Sequence, residues 1–307
     1  MLATVAAGFF GACGNYSNED LAYMSVVPQS EELESNLPAA QGAEQIAGAA
    51  ELYKTTHNVS DTLNGILGKF LVLIETVRAY TPTSRTPTSR TWGPYPSLEH
   101  PGWLAEMEIN RDPVMPDEKF DYWFGFVPAT APHGDPIHVL DGSFQLGMSV
   151  REGHGTLNVA TAASRAAGID LGFGVLDHME VTYDVMGPTV AVHMTITNLP
   201  NPLKPDDILT ATYDYHRVAD GSGDMMFQFD ANAIPGPAGT ETFRITSHWL
   251  GTGAGRAQSA VIAGDAAGAQ QDECWGPGFT PTYNLKPWSP AENVGDPSLC
   301  PDFPTTP

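Results

Sequence analysis

Nine histidines among 307 residues raise metal chemistry first. His193, His216 and His248 fall on the polar faces of segments that read as neighbouring strands. If the connection NLPNPLKPDD turns about Leu203, position 193 pairs with about 212. His216 then lies four residues further on, roughly 13 Å at strand rise, too far to share an ion. HGDPIH places His133, Asp135 and His138 in a Pro/Gly-rich stretch with no second ligand pair nearby, and it reads as a surface loop. DGSGD, Asp220 to Asp224, alternates oxygen side chains as calcium loops do. It lacks the bidentate glutamate, so it reads as a hairpin turn. GTGAGR sits between strands, where a phosphate-binding loop needs a helix to follow. The chain holds no GxSxG, HExxH, CxxC or GxxxxGK[ST]. Asp184 and Asp214 read as solvated face residues. No catalytic residue, metal or cofactor is expected.

Cysteine chemistry says more. MLATVAAGFFGAC resembles the end of a bacterial lipoprotein signal peptide, with Phe10, Gly11 and Ala12 before the cysteine that such proteins lipidate. The resemblance implies cleavage before Cys13 and a diacylglyceryl thioether on its sulphur, with residues 1–12 discarded. Phe10 stands where leucine is usual, and no Lys or Arg precedes the apolar run, so Met1 reads as internal to a longer chain. The alternative is a short apolar N-terminus with Cys13 a buried thiol. Gly14 after the cysteine, rather than Asp, leans towards outer-membrane sorting by the same resemblance. Cys274 and Cys300 enclose a Pro/Gly-rich tail that needs a staple, so a disulfide is expected; the alternative is two free thiols in a cytosolic protein.

Charge narrows the partners. Fourteen basic against 36 acidic residues give a formal net charge of −22, which repels nucleic acid and anionic headgroups alike. No run of about 18 apolar residues occurs, so no spanning helix is expected and membrane attachment is expected to be covalent.

The elements that would position these groups follow from period. Residues 13–40 read as a lipid-anchored tether with an apolar patch. From 41 to 80 the spacing is helical: Leu63, Ile66, Leu67, Phe70, Leu73, Ile74 and Val77 line one face. TPTSRTPTSR, an immediate five-residue repeat, reads as part of an exposed linker over 81–92. Between 103 and 265 the period becomes two, as in Phe120, Tyr122, Phe124 and Phe126, in Phe144, Leu146, Met148 and Val150, or in Val190, Val192, Met194 and Ile196. Short glycine-rich connections predict hairpins. The expected fold class is α+β: an N-terminal amphipathic helix or helix pair packed against a strongly curved, mostly antiparallel β-sheet or incomplete barrel of about nine strands. The tail over 274–300 completes a single domain spanning 41–307.

SNEDLAYMSVVP after Cys13, RTWGPYPSLEHPGW, YDYHRVADGSGDMMFQF, ITSHWLGTGAGRA, ECW and GDPSLC together resemble a group of bacterial lipoproteins, of the kind myxobacteria encode in many copies, that carries no established activity. The resemblance implies a lipidated, exported envelope protein, and nothing catalytic. The expected function is therefore a non-enzymatic lipoprotein, anchored through Cys13, that binds an envelope protein or serves structurally. One alternative, by analogy with Lol-type lipoprotein carriers, is a carrier of lipid or another apolar ligand on the concave face of the sheet. A further alternative is a hydrolase whose site is assembled from separate loops. A continuous apolar pocket above about 300 Å³ would favour the carrier.

Overall fold

Strand alternation runs further along this chain than its apolar residues alone reveal. The computed structural model describes residues 16–39, 47–114, 118–147, 149, 151–201, 204–231 and 240–301. Its strands are β1 Ser84–Arg85, β2 Ser89–Pro96, β3 Trp103–Asp112, β4 Lys119–Pro128, β5 Ile137–Leu146, β6 Gly153–Ala160, β7 His178–Met186 and β8 Thr189–Asn201. They continue as β9 Lys204–Arg217, β10 Gly223–Ala231, β11 Glu241–Trp249, β12 Gly255–Ala263, β13 Gln270–Trp275, β14 Pro281–Leu285 and β15 Val294–Gly295. All belong to one 15-stranded sheet whose spatial order is the sequence order. Every neighbouring pair is antiparallel.

The expected fold class is thereby corrected. The protein is largely β, one open sheet with few helices, and not an α+β fold of about nine strands. Among the described residues the helical elements include α1 Asn18–Ser25, α2 Ser30–Leu33, α3 Glu51–Arg78 and α4 Ala162–Ala166. Residues 1–15, Met148 and Val150, and the first part of the expected helical segment (41–46) lie outside the described residues. Among the described residues no helix is long and apolar enough to cross a membrane.

The extra strands escaped the period because their buried positions are filled by glycine or by polar groups. Gly155 on β6 pairs with Tyr183 on β7, and an added Cβ would lie 2.0 Å from that ring. Gly255 on β12 pairs with Trp275 on β13 in the same way, at 2.4 Å. Gly142 opposite Tyr122, and Gly223 opposite Trp249, repeat the arrangement. Each bare glycine admits the aromatic ring of its cross-strand partner, so a strand that looks too small to be buried is buried under its neighbour's ring.

Two segments cross this aromatic face in opposite directions. Residues 16–39 run from β4, where Tyr23 meets Phe120 edge-on at 5.4 Å, to β9, where the Asn36 N–H donates to the Tyr215 hydroxyl at 2.9 Å. Tyr23, Val26, Val27 and Leu33 belong to the core, so the apolar patch pins this stretch to the sheet. α3, 28 residues long, returns. Thr56 meets Ser247 on β11 at 2.6 Å, Ser60 donates to Met225 Sδ on β10 at 3.7 Å, and Tyr80 reaches Tyr95 on β2 with ring centres 4.9 Å apart. Leu63, Leu67, Phe70, Ile74 and Val77 are all buried, each stabilising by about 1.5–3 kcal/mol.

The repeat TPTSRTPTSR is a hairpin, and it has a use. Arg85 pairs with Arg90 across β1 and β2, so the two copies bring equivalent arginines side by side. Both hold Asp20: Arg90 Nε donates at 2.7 Å and Arg85 Nε at 3.2 Å. Asp20 in turn accepts from the Ser17 N–H at 3.0 Å and closes a capping box that starts α1. Burial alone would raise the Asp20 carboxyl. Hydrogen bonds from Ser17 and the two guanidinium groups outweigh it and hold the group down at about 2.

At the other end α3 starts at Ala50, which offers no side-chain cap. Glu273 on β13 supplies one from a distance, accepting from the Glu51 N–H at 3.0 Å and the Leu52 N–H at 2.5 Å. Burial raises the Glu273 carboxyl, and those two bonds only partly offset it. Glu273→Gln keeps an acceptor and should cost less than about 1 kcal/mol, whereas Glu273→Ala orphans two helix donors and should cost about 1–3 kcal/mol. Urea titration of both variants checks this.

Next to Glu273, Cys274 reaches Cys300 at disulfide distance, with Cα atoms 5.4 Å apart and a sequence separation of 26. This closes the tail that carries Phe279, whose ring lies 4.6 Å from that of Tyr53 at the start of α3. Cys300→Ser should lower stability by about 3 kcal/mol on loop entropy alone. Denaturation with and without reductant measures it, and reductant should then have no effect on the variant.

Candidate functional site

The principal site is a groove of about 800 Å³ between the C-terminal half of α3, the β2–β3 connection, β4 and the segment that follows α4. Phe124 and Phe126 form its base from β4, Leu171 and Phe173 one wall, and Tyr95 with Tyr80 one end. The ring of Phe173 stacks on Phe70 with centres 3.7 Å apart, which fixes that wall against α3. At the groove's rim, Leu98 is 95% exposed and Val72 is 53% exposed. Large apolar side chains left in water at a groove rim mark a binding mouth more often than a structural surface.

The room comes from α3 itself. Gly65 and Gly68 both line the groove, and a Cβ added at either would meet nothing within 4 Å. Each glycine inside a helix costs roughly 0.5–1 kcal/mol relative to alanine, so the helix loses stability where the space is opened. The mouth carries Lys69, Glu34 and Glu99. Lys69 Nζ lies over the Phe173 ring at 5.8 Å. One cation against two carboxylates makes the entrance unwelcoming to an anionic head. Burial pushes the Tyr95 phenol up, with Tyr16 and Tyr80 adding to the shift.

Among the described residues that line the groove, Ser97 and His100 do not form a nucleophile–base pair. The hydrogen bond between them runs from the His100 backbone N–H to Ser97 Oγ, at 3.1 Å. The His100 ring instead meets Phe126 edge-on at 5.4 Å.

The histidines singled out from the sequence lie on the opposite, polar face. His193 pairs with Asp214, two residues beyond the expected partner at about 212. The difference arises from irregularities between Ile196 and Leu199 and between Pro200 and Asn201, which absorb residues of the β8–β9 hairpin. His193 Nδ1 lies 2.6 Å from Asp214, His216 Nδ1 lies 3.4 Å from Asp224, and His154 pairs with Asp184. Asp224 also faces His248 across β10 and β11; burial lowers the His248 imidazole and Asp224 raises it. These are cross-strand pairs. Among the described residues, no group of three or more His, Cys, Asp or Glu is placed to hold a metal ion.

His138 of HGDPIH stacks on Trp123 with ring centres 4.6 Å apart. In DGSGD, Asp220 accepts from the Ser222 N–H at 2.8 Å and closes a turn. GTGAGR forms the β11–β12 turn and the start of β12. Cys274 and Cys300 are not among the groove's lining residues, and Cys13 lies outside the described residues. Sequence reasoning missed the groove. Its one available signal was the pair of glycines three apart inside an otherwise strong helix.

No protein-family model, no curated protein and no solved structure matches this chain.

Proposed function

We propose that this chain is an exported envelope lipoprotein, anchored through Cys13, that binds an uncharged apolar ligand in the groove beside α3. The observation that carries the binding reading is the groove's size and lining. About 800 Å³ falls within the roughly 300–1,000 Å³ of ordinary small-ligand sites, and its surface is aromatic and aliphatic with charges only at the mouth. An apolar chain transferred from water into such a groove gains about 0.8 kcal/mol per buried methylene. The carboxylates at the mouth and the net charge of −22 select against anionic heads.

The anchor rests on the lipobox-like FFGAC and on a Cys274–Cys300 pair suited to an oxidising compartment. Two measurements test the reading. An uncharged naphthylamine probe should fluoresce on binding the Cys13→Ser chain in detergent-free buffer; an unchanged spectrum would remove the groove from consideration. In cells, Cys13→Ser should move the protein from the membrane to the soluble fraction, and retention on the membrane would remove the anchor.

A further inference from the structure

We infer that the groove shelters an acyl chain of the protein's own lipid anchor at Cys13; this rests on the lipoprotein reading above and names the ligand. Tyr16, the first described residue, is fixed against the groove's tyrosine end. Its hydroxyl donates to the Arg78 carbonyl at 3.2 Å, at the C-terminal end of α3 where Val77 and Tyr80 line the groove. The chain cannot drift from this point. Ser17 caps α1 through Asp20, and Asp20 is locked by Arg85 and Arg90.

Cys13 is the third residue before Tyr16. Three extended residues span at most about 10 Å, which bounds the reach of the Cys13 sulphur from Tyr16 and keeps its lipid within range of the groove's tyrosine end. Confinement raises the local concentration of the acyl chain at the groove into the millimolar range expected of a short linker.

Charge chooses the same occupant. A free fatty acid or a phospholipid brings an anion to a mouth that holds Glu34 and Glu99. The diacylglyceryl group on a cysteine thioether carries only ester and thioether functions and no charge. It is the lipid whose chemistry fits both the apolar floor and the acidic lip. A sheltered acyl chain keeps the protein dispersed in water, and release of the chain exposes it for insertion into a bilayer.

The test uses the full chain, exported and lipidated in a bacterial host, next to Cys13→Ser, with intact mass confirming the modification. In detergent-free buffer the naphthylamine probe should bind Cys13→Ser at least tenfold more tightly than the lipidated chain, by the same factor at every protein concentration. Lipidated Gly68→Trp, its groove filled, should partition onto neutral phosphatidylcholine vesicles at least tenfold more than the lipidated parent. Equal probe affinity for lipidated and unlipidated chains overturns the inference while leaving the groove a binding site. A difference that vanishes on dilution overturns it too, since the occupant is then a neighbour's lipid. An intact mass without diacylglycerol defeats the anchor, and a probe that binds neither chain defeats the groove.

Discussion

Gly68→Trp is expected to abolish probe binding to the groove while leaving the thermal midpoint of the protein unchanged or slightly higher. The position is helical, and an added Cβ meets nothing within 4 Å, so the indole enters open space instead of a packed core. Replacing a helix-interior glycine also removes its backbone-entropy penalty, worth roughly 0.5–1 kcal/mol against alanine and somewhat less against tryptophan. The ring occupies volume that a ligand needs. Displacing only two methylenes forfeits about 1.6 kcal/mol, which exceeds the 1.4 kcal/mol that corresponds to a tenfold weaker complex. Titration with the uncharged probe reads the loss, and a melting curve reads the fold. Undiminished affinity would mean that the ligand does not use this groove. Gly68→Ala is the matched control: it keeps most of the space and should bind nearly as well as the parent.

The second large effect belongs to Asp20. Its carboxylate is fully buried, and Arg90, which it holds, is only 2% exposed. Asp20→Ala removes the buried one of that guanidinium's two carboxylate partners and leaves only the half-exposed Glu19, 2.7 Å away. The cost should approach, without exceeding, the penalty of about 3–5 kcal/mol for a broken buried pair. Arg85 and Arg90 occupy the same place in the two copies of TPTSR, yet their environments differ. The Arg85 side chain is 41% exposed, so Arg85→Ala should cost well under half as much as Arg90→Ala. Arg90 also lies over the Tyr23 ring at 4.5 Å and donates to the Ser89 carbonyl at 2.8 Å.

Asp20 predicts an acid limb as well. With its folded pKa near 2 and an unfolded value of about 3.9, the unfolded chain takes up the proton first as pH falls. The group therefore contributes its stabilisation, about 2.5 kcal/mol, above pH ~4 and loses it as pH drops towards 2. Urea midpoints measured from pH 5 to pH 2 should fall along that window for the parent. In Asp20→Asn, already weaker, this component of the fall should be missing. A parallel decline in both proteins would assign the acid limb to other carboxylates.

How much of this was readable from the residues depends on what filled the buried positions. Where apolar side chains alternate, as in Phe120 to Phe126 or Val190 to Ile196, the period of two identified β4 and β8 directly. It failed for β6 and β12, whose inward positions include Gly155 and Gly255 beneath aromatic rings. It failed for β13, whose inward Gln271 and Glu273 are polar because they serve the tail and the start of α3. The short β1–β2 hairpin was hidden in the repeat, since five residues containing proline look like a linker until Asp20 is seen to need both arginines. The α3 stripe from Leu63 to Val77 was legible because packing dictates its period, but the buried Leu52, Tyr53 and Val59 near the helix start were not picked out. The groove was not, because it is made by side chains that are missing, and only their cost in helix propensity leaves a trace in the sequence.

The strictly sequential order of the sheet has a consequence for how the chain acquires its structure. Each strand finds its partner in the strand just before it, so the sheet contains no distant pairing and its contact order is low for an all-antiparallel protein of this length. A chain delivered end first can therefore zip up hairpin by hairpin as it emerges. The covering layer obeys the opposite rule. The start of α3 waits for Glu273 and Phe279, more than 200 positions later, to cap and pack it. Assembly is thus vectorial in the sheet and terminal in the lid, and α3 settles into its final seat only when the last strands arrive.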